Sequence, residues 1–311
     1  MSEETIIYAK CRLLDLFSEI SERDQNVIEE WICSRRYLRD LELKKSLENK
    51  EKTLAKIGDA IKKIVPFEAE MPSENIKPPI VGDQADCNTV NTYHVDEFLY
   101  DQEAVDVMTK DGKLPMHYCL NCNSRNIKEL ILISHSMSRK SLQYAFNFLF
   151  PKDLEGKIIL DVGSRLGAVI FGAYHLSNVS TIIGIEMNKE FCEVQEKIID
   201  QFSMDNNRIK VINSDVTKRA DIVKMSDIIV INVLDFFVDI ETHKAMWFFF
   251  KKYIKKGSYL LCSRSMAETL NSLNIFEEFE NWLSICVPYQ RENEIFFEID
   301  DSYDLYLYTI Q

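Results

Sequence analysis

From residue 131 onward the chain alternates short, uninterrupted apolar runs with stretches of helical periodicity, and few folds accept that pattern. The runs at 157–162, 181–186, 208–213, 227–232 and 258–263 are rich in Ile and Val. Helical spacing follows them at about 168–176, 189–202, 218–224, 241–254 and 275–285. Strands that are apolar at every position, rather than at every second one, belong in a parallel sheet covered on both faces. A strand-like run at 131–133 and a helix at 139–150, capped by Ser136 and Ser138 and stopped by Pro151, precede the first unit. The tail breaks the alternation. Residues 294–299 and 304–310 read as two strands joined by Asp300-Asp301-Ser302-Tyr303, a connection short enough to make the last edge antiparallel.

The first 130 residues are of a different kind. Leu13, Leu14, Phe17 and Ile20, then Val27, Ile28, Trp31 and Ile32, recur at helical spacing, so residues 4–64 should form two to four helices. Pro66, Pro72, Pro78 and Pro79 mark residues 66–92 as a linker. A small acidic insert follows, with a helix expected at 96–108, a turn at Asp111-Gly112 and the pair Cys119 and Cys122. The organisation expected is a helical region at 1–65, a linker and insert at 66–130, and an α/β domain at 131–311.

Net charge is −13, and no segment is strongly basic: residues 66–130 hold 12 acidic and 5 basic side chains. A sequence-independent grip on nucleic acid needs a basic face, so the balance counts against RNA or DNA as partner. No apolar run reaches the roughly 18 residues of a membrane span. The chain starts Met1-Ser2-Glu3-Glu4 without an apolar leader and carries eight cysteines. That combination points to a reducing compartment, the cytoplasm or nucleus. Cys119-x-x-Cys122 is half of a zinc site. No second pair accompanies it, and Cys87, His94 and His117 fall at no recognised spacing, so no metal is expected.

Chemistry-bearing residues cluster at the ends of the predicted strands. Five of the nine glycines lie between 156 and 184. The first strand ends in Asp161-Val162-Gly163-Ser164-Arg165-Leu166-Gly167, where Gly163 permits close backbone approach and Gly167 lets the next helix pack tightly. The second ends in Gly184-Ile185-Glu186-Met187, whose carboxylate is suited to two ribose hydroxyls. Asp215 and Val216 follow the third. Asn232, Asp235, Phe236 and Phe237 follow the fourth.

In these motifs, over about residues 131–311, the chain resembles the class I S-adenosylmethionine-dependent methyltransferases. The resemblance implies a Rossmann-like α/β fold with a seven-stranded sheet, five parallel units closed by a C-terminal antiparallel hairpin. It implies S-adenosylmethionine as cofactor, with Asp161, Gly163, Ser164 and Gly167 at the methionine end. Glu186 and Met187 would meet the ribose, Asp215 and Val216 the adenine, and Asn232 the methyl. Asn232 and Asp235 would act on the acceptor. Arg165 departs from the family pattern, which has glycine there. The order Asp-Val-Gly-Ser, Gly-Ile-Glu, Ser-Asp and Ile-Asn-Val-Leu-Asp-Phe is also similar to histone lysine methyltransferases of the Dot1 type, which favours a protein side chain as acceptor. A small-molecule methyltransferase and a catalytically silent binding module are the alternatives. His135, just ahead of the first strand, sits where segments of this family close over the cofactor. A satisfied structural histidine is the simpler reading, as it is for His175 and His243. The oligomeric state is left open.

Overall fold

A computed structural model of the chain describes residues 3–74, 76, 88, 90–120, 127–129, 131–232, 234, 236–297 and 303–311. The chain divides into two compact units, 1–49 and 50–311. The N-terminal helices are α1 (Glu3–Glu19), α2 (Glu22–Cys33) and α3 (Arg36–Ile61), and the boundary falls within α3. In the first unit Ser21 caps α2 by accepting from the Asp24 N–H, and the Trp31 indole donates to Asp40 at 2.8 Å. Ile6, Ile7, Tyr8, Leu13, Leu14 and Leu16 of α1 are exposed.

The second unit begins with the last turns of α3, whose Leu54, Ile57 and Ile61 are buried among Phe98, Leu142 and Phe171. Next come β1 (Thr92–His94), α4 (Gln102–Lys110), β2 (His117–Cys119), β3 (Ile127–Glu129), β4 (Ile131–Ile133) and α5 (Arg139–Tyr144). The helix expected at 96–108 begins instead at Gln102, because Asp101 supplies the cap that its first turn needs. β1 pairs in parallel with β4, placing Tyr93 beside Leu132 and His94 beside Ile133. α5 runs on as a π-turn to Leu149, with Phe146, Phe148 and Leu149 buried.

The main sheet is built from β5 (Ile158–Val162), α6 (Ala168–Leu176), β6 (Thr181–Glu186), α7 (Lys189–Gln201), β7 (Ile209–Asn213), α8 (Ala220–Met225), β8 (Ile228–Ile231), α9 (Ile240–Tyr253), β9 (Tyr259–Cys262), α10 (Met266–Ser272), α11 (Phe276–Phe279), β10 (Leu283–Ile285) and β11 (Tyr306–Ile310). Its order is β10-β11-β9-β8-β5-β6-β7, with β5 to β9 parallel and β11 antiparallel to both β9 and β10. Strand residues alternate between two apolar layers. Ile159, Ile182, Ile228, Val230 and Leu261 face α5, α6 and α7, while Leu160, Ile183, Ile229, Ile231 and Leu260 face α8, α9 and α10.

This is the seven-stranded α/β sheet read from the sequence, but its antiparallel edge is assembled differently. Residues 291–296 form a 3₁₀ turn, and β10 comes from Leu283–Ile285, inside the stretch expected to be helical. The 3₁₀ segment is fixed by side chains that strand pairing would displace. Gln290 donates to the carbonyls of Phe146 and Phe150, and Asn293 donates to that of Asn147 at 2.6 Å. The Phe297 ring packs on Tyr144 and Phe148. β10 and β11 pair in antiparallel fashion across a long connection in place of a tight hairpin.

Candidate functional site

From β5 the chain runs to β6 and β7 on one side of the sheet and to β8 and β9 on the other, which makes β5/β8 the point where strand order reverses. In open α/β sheets ligands occupy the crevice at the carboxyl ends of the strands there. The loop 163–167 lies on one side of that point and Asn232 on the other.

Gly163 and Gly167 have φ of +71° and +85°, and Arg165 adopts +44° between them. The loop is tied to β6 by the N–H groups of Gly163 and Ser164, both donating to the Ile185 carbonyl. A Cβ on Gly163 would meet nothing within 4 Å, whereas one on Gly167 would lie 2.8 Å from the Phe171 ring. The Ser164 hydroxyl turns inward and donates to Gln195, which in turn donates to the Arg165 carbonyl. Gln195 is fully buried on α7. Its sequence signal is a single polar residue on the apolar face of Phe191, Cys192, Val194 and Ile198. Gly184 is the other residue this loop depends on: a Cβ there would lie 2.8 Å from the Ser164 hydroxyl.

Two carboxyl groups converge behind this loop. Glu186, at the end of β6, accepts from the Arg165 N–H at 2.9 Å and the Asn188 N–H at 2.7 Å, one on each oxygen. Each oxygen retains a lone pair for a further donor. Asp161 is 4% exposed; burial, and next the charge of Glu186, push its carboxyl up to about 8. Burial raises Glu186 as well. Met187 is exposed. Asp215 uses one oxygen to cap the turn at Val216–Lys218, accepting from the Thr217 N–H and hydroxyl, and Val216 is buried. Asn213 clamps the strand ends by donating to the carbonyls of Glu186 and Met187.

Arg165 explains how a residue other than glycine stands in this loop. Its backbone keeps the left-handed conformation, and its side chain leaves the loop for the preceding segments. The guanidinium donates to Glu74 at 2.9 Å, to Asp96 at 3.1 Å and to the Ala69 carbonyl, and lies over the Phe191 ring. Asp96 is fully buried; it also accepts from the Ser136 hydroxyl and from the N–H of Phe98. Residues 69–74, 94–98 and 133–136 are thereby fastened over the strand ends. None of these contacts has a local sequence signal.

On the β8 side the Asn232 side-chain amide donates to the His135 carbonyl at 3.1 Å, and the Asn232 main-chain carbonyl accepts from the Ser263 hydroxyl. Phe236 and Phe237 pack their rings against His135 at 4.8 and 5.1 Å. Asp235 lies outside the described residues. His94 and His135 pack ring to ring at 4.4 Å. Burial first, then the Arg165 charge for His94 and the His94 charge for His135, lowers their pKa values to about 4 and about 2, so both are neutral at pH 7. Cys119 is exposed, and Cys87 and Cys122 lie outside the described residues. Among the described residues no three His, Cys, Asp or Glu side chains are placed to hold a metal ion, and no helix is long and apolar enough to cross a membrane. His175 is half-buried in α6, and His243 is buried in α9.

No protein-family model and no curated protein sequence matches the chain. Among solved structures it is similar to precorrin-6y C5,15-methyltransferase from Geobacter metallireducens, at 10% identity over 57% of this chain and 92% of that one, TM-score 0.37. It is similar to precorrin 8w decarboxylase from Methanobacterium thermoautotrophicum at 13% over 50% and 78%, TM-score 0.37. An RNA methyltransferase from Salinibacter ruber, solved with S-adenosyl-L-homocysteine, shares 11% over 40% and 72%, TM-score 0.32. At such identities and scores the likeness says nothing of activity. The fold itself is a seven-stranded sheet, parallel but for its last edge, with a left-handed loop at its switch point.

Proposed function

We propose that this chain is an S-adenosylmethionine-dependent methyltransferase. The observation that carries the reading is the carboxyl pair at the switch point: Glu186 held by two backbone N–H groups, and Asp161 desolvated beside it. That acceptor pair fits the cofactor, whose ribose diol needs an acceptor and whose amino-acid end brings an ammonium. Open space above Gly163 leaves room for its approach.

Bound there, S-adenosylmethionine would supply a methyl group activated on a sulfonium. The chain's own residues would do the positioning. Glu186 accepts from the ribose hydroxyls, Asp161 faces the ammonium, and Met187, Asp215 and Val216 border the base. Asn232, fixed by Ser263 and His135, borders the transfer point. Holding acceptor and methyl in line and excluding water are the main protein contributions to such a displacement. A net charge of −13 favours a protein side chain or small molecule over RNA as acceptor. The motif order favours the protein.

Calorimetry with S-adenosylhomocysteine tests the reading. Failure of the wild type to bind at roughly 100 μM, within the ordinary range for enzyme ligands, would sink it. Loss of two charged hydrogen bonds in Glu186→Ala should weaken binding on the order of 100-fold. Transfer of labelled methyl into a protein extract or into a metabolite pool separates the acceptor classes. Binding without transfer into either indicates the silent module.

A further inference from the structure

His135 is 4% exposed, and neither of its ring nitrogens has a hydrogen-bond partner. Its neighbour His94 is the useful contrast. The Nδ1–H of His94 donates to the Glu68 carbonyl, and its Nε2 accepts from the His135 N–H at 3.2 Å, so that ring is satisfied at both nitrogens. A histidine kept only for packing would be bonded likewise, or replaced by an apolar ring; a buried polar group left unmet needs another explanation. The position of His135 supplies one. Its carbonyl is bonded to Asn232 at the end of β8. Its ring is bordered by Phe236, Phe237 and His94, and it feels the charge of Arg165 from the β5 loop. It therefore covers the crevice between β5 and β8.

The geometry points to His135 as the residue that binds the methyl acceptor: an amine or hydroxyl nucleophile brought to this crevice donates its N–H or O–H to the unprotonated ring nitrogen. This rests on the methyltransferase reading. Because burial keeps the ring neutral, it orients the nucleophile's lone pair and does not carry the proton away. The S–CH3 bond breaks as the new bond to the nucleophile forms, S-adenosylhomocysteine leaves as the thioether, and the proton stays on a methylated amine or passes from a methylated hydroxyl to water. Acceptors with a hydrogen to donate are selected over carbon nucleophiles.

The test needs no knowledge of the acceptor. Sinefungin carries an amino group on carbon where the cofactor carries its methyl on sulfur, so its N–H bonds reach toward the acceptor's place. The wild type should bind sinefungin at least about tenfold more tightly than S-adenosylhomocysteine, the range expected of a charge-assisted hydrogen bond. His135→Phe should abolish that preference, and His135→Gln, which keeps an acceptor, should restore part of it. The readout is a ratio, so a general loosening of the site cancels. An unchanged ratio in His135→Phe overturns the assignment. Should that variant not fold, nitrogen-15 spectra of the wild-type imidazoles decide: the unprotonated nitrogen of His135 shifts on adding sinefungin, or the assignment is wrong. Failure of the wild type to bind either ligand overturns the methyltransferase reading itself.

Discussion

Replacing Asp161 by Asn separates what this carboxyl does for the fold from what it does for a ligand. Burial and the Glu186 charge raise its pKa from the ordinary 3.8 to about 8. Between those values the folded chain holds a proton that the unfolded chain releases. The stabilisation it gives by staying neutral is therefore complete below about pH 4 and is lost as pH rises toward 8, at about 1.4 kcal/mol per unit. At pH 7, about three units into that window, the cost is on the order of 4 kcal/mol; it grows by about 2 kcal/mol between pH 6 and pH 8. An amide has no such dependence. Asp161→Asn should be more stable than wild type by about 2–4 kcal/mol at pH 7, the lower figure if the new N–H groups lack acceptors. Urea titrations at pH 6, 7 and 8 measure the gap. A variant less stable than wild type at pH 8, or a gap that fails to widen from pH 6 to 8, refutes the reasoning. The ligand arm runs the other way. At pH 7 the free carboxyl is about nine-tenths protonated, and an ammonium partner favours its ionised form. Binding of S-adenosylhomocysteine should then release close to one proton, seen as a heat that varies with buffer ionisation enthalpy. The more stable variant should release none and bind more weakly.

Arg165→Gly removes the cation that Glu74 and Asp96 share while both stay buried. Stranding buried charges costs about 3–5 kcal/mol, and glycine's ease at φ +44° returns about 1 kcal/mol. A net loss of about 2–4 kcal/mol in denaturant unfolding is expected, and wild-type stability would show that the clamp is not formed. Gly184→Ala drives a methyl against Ser164 and Ile170, for about 1–3 kcal/mol of overpacking and a displaced loop. Unfolding and S-adenosylhomocysteine affinity should fall together, and a loss in stability alone would mean that the loop does not need this contact.

What the sequence disclosed of the site follows from local rules. Asp161, Glu186 and Asn232 stand at the ends of apolar runs, Asp215 follows another after Asn213 and Ser214, and a run of β-branched residues announces a strand whatever surrounds it. The seven strands were countable for the same reason, except at the tail. There Leu283–Ile285 is only three residues long, and the more apolar stretch around Ile295 and Phe296 is drawn into a turn by Gln290 and Asn293. The clamp was illegible in principle: Glu74 and Asp96 meet Arg165 across 91 and 69 residues of chain, and no spacing rule operates at that range. Of the two roles of Arg165, only the backbone one has a local signature.

Three features that cost this fold stability lie around one crevice. Arg165 is held left-handed, Asp161 is desolvated until it keeps its proton, and His135 buries two unmet nitrogens. Elsewhere Asp101, Ser138, Asn188 and Asp239 cap their helices, and buried Arg139 is bonded to Glu51, Phe98 and Asp101. Strain of this kind persists where the surrounding structure over-determines it, and it gathers where ligands bind. Each departure also wants something different. Asp161 wants a cation, Glu186 a pair of hydroxyls, and His135 an N–H or O–H donor. A cofactor that combines an ammonium with a ribose meets the first two and leaves the third to the acceptor.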